Sequence, residues 1–257
     1  GTAGGIPSDR HDIRLGDVVV CRNQGVTACV FEGDAFVPQP GVFLAPPGTG
    51  LLSAVAQLEA DWLLRGSKHL DFLCDVIERN PRAFSRRQSD RLYAADKLHV
   101  DDSTDFCRCG LDGLIERKQQ RDPAVHLGAV ACGPSALRNA HRRDALDKQH
   151  GVLAYDSESA GFAAHRELGY LLIRGIAHYC DSHAVASQWH GYAAASAAAT
   201  APKSGSKMGP SGAAAAAPAA AATAAGGPSA EVCSAAFLAL AEAIRGCESN
   251  KVYLGES

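Results

Sequence analysis

Gly151-Val152-Leu153-Ala154-Tyr155-Asp156-Ser157-Glu158 is the stretch on which the fold turns. Val152 to Tyr155 is an unbroken apolar run, the pattern of a strand buried on both faces. It ends abruptly in polar residues, and a helix is predicted from Glu158 to Leu168. Polar groups at the end of a buried strand, where a helix begins, face a ligand crevice. Upstream, Val125 to Ala131 is another apolar run and Ala136 to Lys148 a polar helical one. Downstream, Leu171-Leu172-Ile173 reads as a further short buried strand. Strand and helix alternating in this way predict a layered α/β domain.

Further toward the amino end, short β-branched runs alternate with Gly and Pro. Asp17 to Cys21 is predicted as a buried strand entered through Leu15-Gly16, with Ala28 to Phe31 as a second. Leu51 to Leu64 places Leu51, Leu52, Val55, Leu58, Trp62 and Leu63 on roughly one helical face. A second helix is predicted from Lys68 to Glu78, stopping before Asn80-Pro81 because a residue preceding proline disfavours the helical basin. Pro81 to Pro123 is rich in Arg, Asp and Gln and reads as an exposed excursion.

Three regions follow from composition: a domain over 1–201, an Ala/Pro/Gly/Ser-rich linker over 202–229 that cannot bury enough surface to order itself, and an amphipathic helix over 230–246. The chain has 257 residues, 46% of them hydrophobic, enough for a substantial core and against global disorder. A formal charge of -3 gives no field to gather phosphate backbones, so nucleic acid is not the expected partner. The only long apolar tract, after Tyr192, is interrupted by Pro and Lys, so no membrane span is expected. Nine scattered cysteines fit reduced thiols and a cytoplasmic setting. Cys107-Arg108-Cys109 is one residue short of a CxxC knuckle, and the expectation is loop thiols and no metal site.

Chemistry-bearing residues collect at predicted strand ends. They are Thr2, Ala3, Gly4 and Gly5 in a glycine cluster, Cys132 before Gly133, Tyr155 to Glu158, and Arg174, His178 and Asp181 around the last strand. Singly each is weak. A glycine cluster is also a turn, an Asp-x-Glu is also a helix cap, and Arg174 and His178 also suit a hydrogen-bonded core edge.

Their order resembles the nucleoside phosphorylase superfamily, including purine and uridine phosphorylases and methylthioadenosine nucleosidases, and especially the domain found in fungal multidomain proteins. The resemblance covers most of residues 1 to 200. It rests on Gly4-Gly5-Ile6-Pro7-Ser8 with Asp12 to Val20, on Asp144 to Gly161, and on Ile173 to Tyr192 with Trp189-His190-Gly191-Tyr192. It implies a three-layer α/β/α domain with a central mixed sheet, here without the family's preceding segment and its first strands. Upstream domains of a longer chain, or a homo-oligomer, are implied as well.

The function implied is cleavage of the N-glycosidic bond of a purine-type nucleoside with inorganic phosphate as co-substrate and no other cofactor. Thr2, Ala3, Gly4 and Gly5 match the family's phosphate-binding glycine loop. Asp156-Ser157-Glu158 matches its Glu-Met-Glu motif, so Glu158 would accept the ribose hydroxyls, with Asp156, Ser157, Tyr155, Cys132 and Arg174 around the substrate. His178 stands where the family has the aspartate that hydrogen-bonds the departing base, and Asp181 lies just beyond it. These replacements leave two alternatives open: a catalytically silent nucleoside-binding or assembly module, and a nucleosidase using water.

Overall fold

The computed structural model describes residues 1–22, 26–32, 35–38, 49–65, 69–86, 89–100, 109–117, 120–159 and 171–201. Seven strands run in the order β2-β7-β1-β6-β5-β3-β4. They are β1 (Thr2–Gly5), β2 (Val18–Cys21), β3 (Val26–Glu32), β4 (Ala35–Pro38), β5 (Val125–Cys132), β6 (Val152–Asp156) and β7 (Ile173–His178). The helices are α1 (Thr49–Arg65), α2 (His69–Arg79), α3 (Pro81–Phe84), α4 (Ala140–His150) and α5 (His190–Thr200). The fold is α/β, and its sheet is mixed. β1 lies parallel to β7 and antiparallel to β6, and β5 lies parallel to β2, β3 and β6.

The sheet is not simply open. β2 pairs with β5 through Val18 to Cys21 against Val125 to Gly128, so β2, β7, β1, β6 and β5 close on themselves. β5 permits this because it is eight residues long: its first half pairs with β2, and its last residues, Ala131 and Cys132, pair with β3. Closure gives β2 a partner on each side, so that strand presents no free edge to foreign strands.

Local chemistry explains most boundaries. Val18, Val19 and Val20 are fully buried, and alternate residues join different clusters: Val19 packs with Ile176, Trp189 and Tyr192, while Val18 and Val20 pack with Val55 of α1. Gly16 supplies the positive φ of 87° that enters β2. Asn139 caps α4 by accepting from the Arg142 amide. Gly151, left-handed at φ 61°, ends that helix and leads directly into β6, every residue of which is buried.

Four expectations need correction. Thr2 to Gly5 is not a loop but a central strand, because flanking strands pair with both its edges. The last strand is not Leu171 to Ile173 but Ile173 to His178, since Leu171 and Leu172 only lead into it. Leu63 and Leu64 are exposed, and Val55 is the fully buried contact of α1. The middle excursion is not wholly exposed: Phe84, Leu92, Tyr93 and Cys109 are buried, isolated apolar anchors on a polar segment. Residues 202–257, with the linker and terminal helix expected there, lie outside the described residues, as does most of the helix expected over Glu158 to Leu168. Among the described residues no helix is long and apolar enough to cross a membrane.

Candidate active site

β6 delivers Asp156 and Glu158 to one place but gives them different surroundings. The Asp156 carboxylate is buried; it accepts from the Glu158 amide (2.9 Å), the Ser159 amide (2.7 Å) and the Ser159 hydroxyl (2.6 Å). Arg174 Nε stands 3.0 Å from it. Asp156 is therefore engaged in folding the strand end. Glu158 keeps 72% of its side chain exposed, touched by Arg174 Nη1 at 3.5 Å. Of the two carboxylates, Glu158 has lone pairs to offer a ligand.

Arg174 is the organiser. Its guanidinium is buried, reaches both acids, and donates to Ser159 Oγ at 2.7 Å. The amino end arrives at the same point. The Gly1 nitrogen donates to the Ile173 carbonyl at 3.1 Å, and a Cβ built on Gly1 would lie 2.1 Å from Arg174 Nη1 and 3.8 Å from Glu158 Oε2. Thr2 follows, opposite Gly175 of β7.

At the other end of β1, Gly4 lies opposite His178, and its missing side chain makes room there. A Cβ on Gly4 would meet Cys180 Sγ at 2.2 Å and His178 Cε1 at 2.5 Å. His178 accepts from the Cys180 amide at Nδ1 (3.1 Å), which leaves the proton on Nε2. Burial, reinforced by His190 and the Arg138 charge against the pull of Asp181, pushes His178 down to about 4. The imidazole is thus neutral at physiological pH. His190, at the start of α5, has its ring centroid 6.2 Å from that of His178. Burial lowers its pKa too, opposed by a hydrogen bond from the ring to the Ser187 backbone carbonyl and by the Glu158 charge.

The other sequence candidates are placed differently. Tyr155 is buried and donates to the Ser135 carbonyl at 2.9 Å, and Cys132 is fully buried in β5 opposite Asp156. Ser157 is exposed beside Glu158. Ala3, Gly4 and Gly5 are buried within the sheet. Asp181 is buried and caps the short 3-10 turn Ser182–Ala186 by accepting from the His183 amide at 3.0 Å. Its Oδ2 lies 3.8 Å from Arg143 Nη1.

The chain is 30% identical over 213 residues to a nucleotide-binding leucine-rich repeat (NLR)-like protein of the fungus Hyaloscypha variabilis, a match covering 78% of this chain and 20% of the relative. This chain thus spans about a fifth of the relative's length. Similar solved structures include the 5'-methylthioadenosine/S-adenosylhomocysteine nucleosidase of Neisseria meningitidis in complex with methylthio-immucillin-A (15% identity, 78% of this chain and 64% of that one, TM-score 0.43). Another is the futalosine hydrolase of Helicobacter pylori (14% identity, 77% and 62%, TM-score 0.38). No protein-family model matches the chain.

Sequence reasoning missed Gly1, Ser159 and His190. The last was within reach: it opens the helix that follows β7, as Glu158 follows β6.

Proposed function

We propose that Gly1, Thr2, Glu158, Arg174, His178 and His190 form a nucleoside site and that its chemistry is cleavage of the N-glycosidic bond of a purine-type nucleoside. The observation that carries this is the division of labour along β1. A sugar-binding carboxylate backed by an arginine stands at the Gly1 end and a hydrogen-bond donor for a base stands at the Gly4 end, about 10 Å of strand apart at the usual rise per residue. That is the span of one nucleoside.

In this reading Glu158 accepts the ribose hydroxyls and Arg174 holds it in place. Charged hydrogen bonds of this kind contribute about 1.5–3 kcal/mol each. As the bond breaks, positive charge grows on the ribose and the Glu158 carboxylate is the nearby anion that stabilises it. His178, neutral with its proton on Nε2, donates a hydrogen bond to the departing base rather than transferring a full proton. Asp181 is a positioning residue for the turn behind it. Inorganic phosphate is the acceptor implied by the sequence resemblance, with Thr2 beside it; water is the other. Buried free thiols at Cys21, Cys132 and Cys180 suit a reducing, cytoplasmic compartment.

A second reading is favoured by one specific observation. The imidazole is held neutral where a proton donor would serve a leaving base, which suits a module that binds a nucleoside and releases it unchanged. The decisive experiment measures release of hypoxanthine from inosine, or adenine from adenosine and methylthioadenosine, with and without phosphate, alongside calorimetric binding. Release only with phosphate identifies a phosphorylase, and release without it a nucleosidase. Binding without release selects the silent module, and neither binding nor release by folded protein overturns the nucleoside site.

A further inference from the structure

The described residues contain a second cluster of reactive side chains, separate from the Glu158 carboxylate and its arginine. His99, Cys109 and His183 bring one ligand-type atom each to within 4.8 Å of one another. Cys109 and His183 are buried, and His99 Nδ1 lies 2.8 Å from Cys109 Sγ. The His183 ring is held in place by stacking on Tyr93, with centroids 4.1 Å apart and planes 11° from parallel, while His99 meets it edge-on at 5.2 Å. Two imidazoles and a thiol, converging from three separate points of the chain, are a ligand set that suits zinc.

The surroundings support the same reading. His183 Nδ1 stands 3.8 Å from Asp181 Oδ1. A metal-bound imidazole commonly donates from its second nitrogen to a carboxylate, which fixes the ring and raises its basicity; at 3.8 Å the pair is beyond hydrogen-bond distance, and a small rotation of the His183 ring on metal binding closes it. Asp181 is itself held by its cap to the His183 amide and by the nearby Arg143.

We propose that His99, Cys109 and His183 bind a zinc ion, with Asp181 as the outer partner of His183 and water completing a tetrahedron. On binding, the Cys109 thiol gives up its proton to solvent and its sulfur bonds to the metal as thiolate, so one proton is released per ion bound. Bond lengths of about 2.0–2.3 Å in a tetrahedron set neighbouring ligand atoms roughly 3.3–3.7 Å apart. The His99–Cys109 pair opens slightly and His183 closes in. The ion ties His99 and Cys109 to the turn after β7, which lies between His178 and His190 in the chain. Sequence spacing hides this site because its ligands are ten and seventy-four residues apart.

The test uses the full chain, purified with its affinity tag removed. Elemental analysis should find about one zinc per chain, and cobalt(II) exchanged into the protein should give a thiolate-to-cobalt charge-transfer band. Cys109→Ser should abolish that band, whereas Cys74→Ser, which removes an exposed thiol on α2, should leave it intact. A chelator should lower the Tm of the unaltered protein, and added zinc should restore it. Zinc at background in protein folded with zinc supplied, no charge-transfer band in the unaltered chain, or a band that survives Cys109→Ser overturns the proposal. Should Cys109→Ser not fold, the stoichiometry and cobalt spectrum of the unaltered chain decide the matter.

Discussion

Cys180 donates its amide proton to Nδ1 of His178 at 3.1 Å, and it reaches that position with a left-handed backbone at φ 55°. A non-glycine residue held there costs about 1–3 kcal/mol, and such strain persists where its surroundings over-determine it. Here the strained residue fixes the tautomer of the imidazole proposed to meet a base.

The first prediction concerns acid. His178 has an ordinary value of 6.5 and is pushed down to about 4 in the fold. The unfolded chain therefore binds the proton more readily between those values. Stability is fully present above pH 6.5, falls as the pH drops toward 4, and loses about 3 kcal/mol over that interval. Urea denaturation across the interval should show this slope, and His178→Gln should remove the His178 share of it, leaving the smaller contributions of His190 and His69, whose pKa values burial also lowers. A histidine NMR titration of the native protein with a midpoint near 6.5 for His178 would contradict the assignment.

Glu158→Gln separates recognition from folding. The side chain is largely exposed, so Tm should move little. The variant loses a charged acceptor for two hydroxyls, and nucleoside affinity should fall roughly 10- to 100-fold, in line with about 1.5–3 kcal/mol for such a bond. Calorimetry with a nucleoside and with its free base distinguishes the cases, because the free base should bind both proteins alike.

Gly4→Ala and Gly175→Ala test two close approaches of different kind. At Gly4 the new methyl meets side chains, Cys180 Sγ and the His178 ring. Overpacking of this sort costs about 1–3 kcal/mol, and binding should be lost as His178 is displaced. At Gly175 it meets the Ala193 carbonyl oxygen at 1.8 Å, and backbone cannot swing aside. That variant should be the more destabilised of the two in urea, through separation of α5 from β7.

Asp17 holds the entrance of β2. Its buried carboxylate accepts from the Arg14 and Ala124 amides, from Arg121 at 2.7 and 2.8 Å, and from His126 at 2.9 Å. Burial alone would raise its pKa, but hydrogen bonds from Arg121, His126 and Ala124 outweigh that and hold it below its ordinary value. Asp17→Ala leaves those donors unanswered and should cost about 3–5 kcal/mol. In the parent protein this contribution is present above pH 3.8 and lost as the pH falls further, after the His178 loss is complete.

The apolar runs expected at Asp17 to Cys21, Val125 to Ala131 and Val152 to Tyr155 became strands within a residue of those bounds, because a short apolar run bounded by turn residues is most readily covered as a strand. Asn80-Pro81 marked a helix end for a reason confined to its own backbone. The Asp156 and Glu158 pair was legible as two carboxylates at a strand end, but not which acid is engaged internally and which is exposed. That depends on Arg174, sixteen residues past Glu158 on β7, which β1 separates from β6 in the sheet. The glycine cluster at the amino end reads locally as a turn, and only pairing with β6 and β7 on both sides makes it a central strand. Sheet closure through β2 and β5, and the meeting of His99, Cys109 and His183, likewise come from contacts between distant segments. Sequence determined what each segment is by periodicity and local backbone preference; tertiary structure decided which side chains meet, because that is set by packing across the sheet and not by neighbours along the chain.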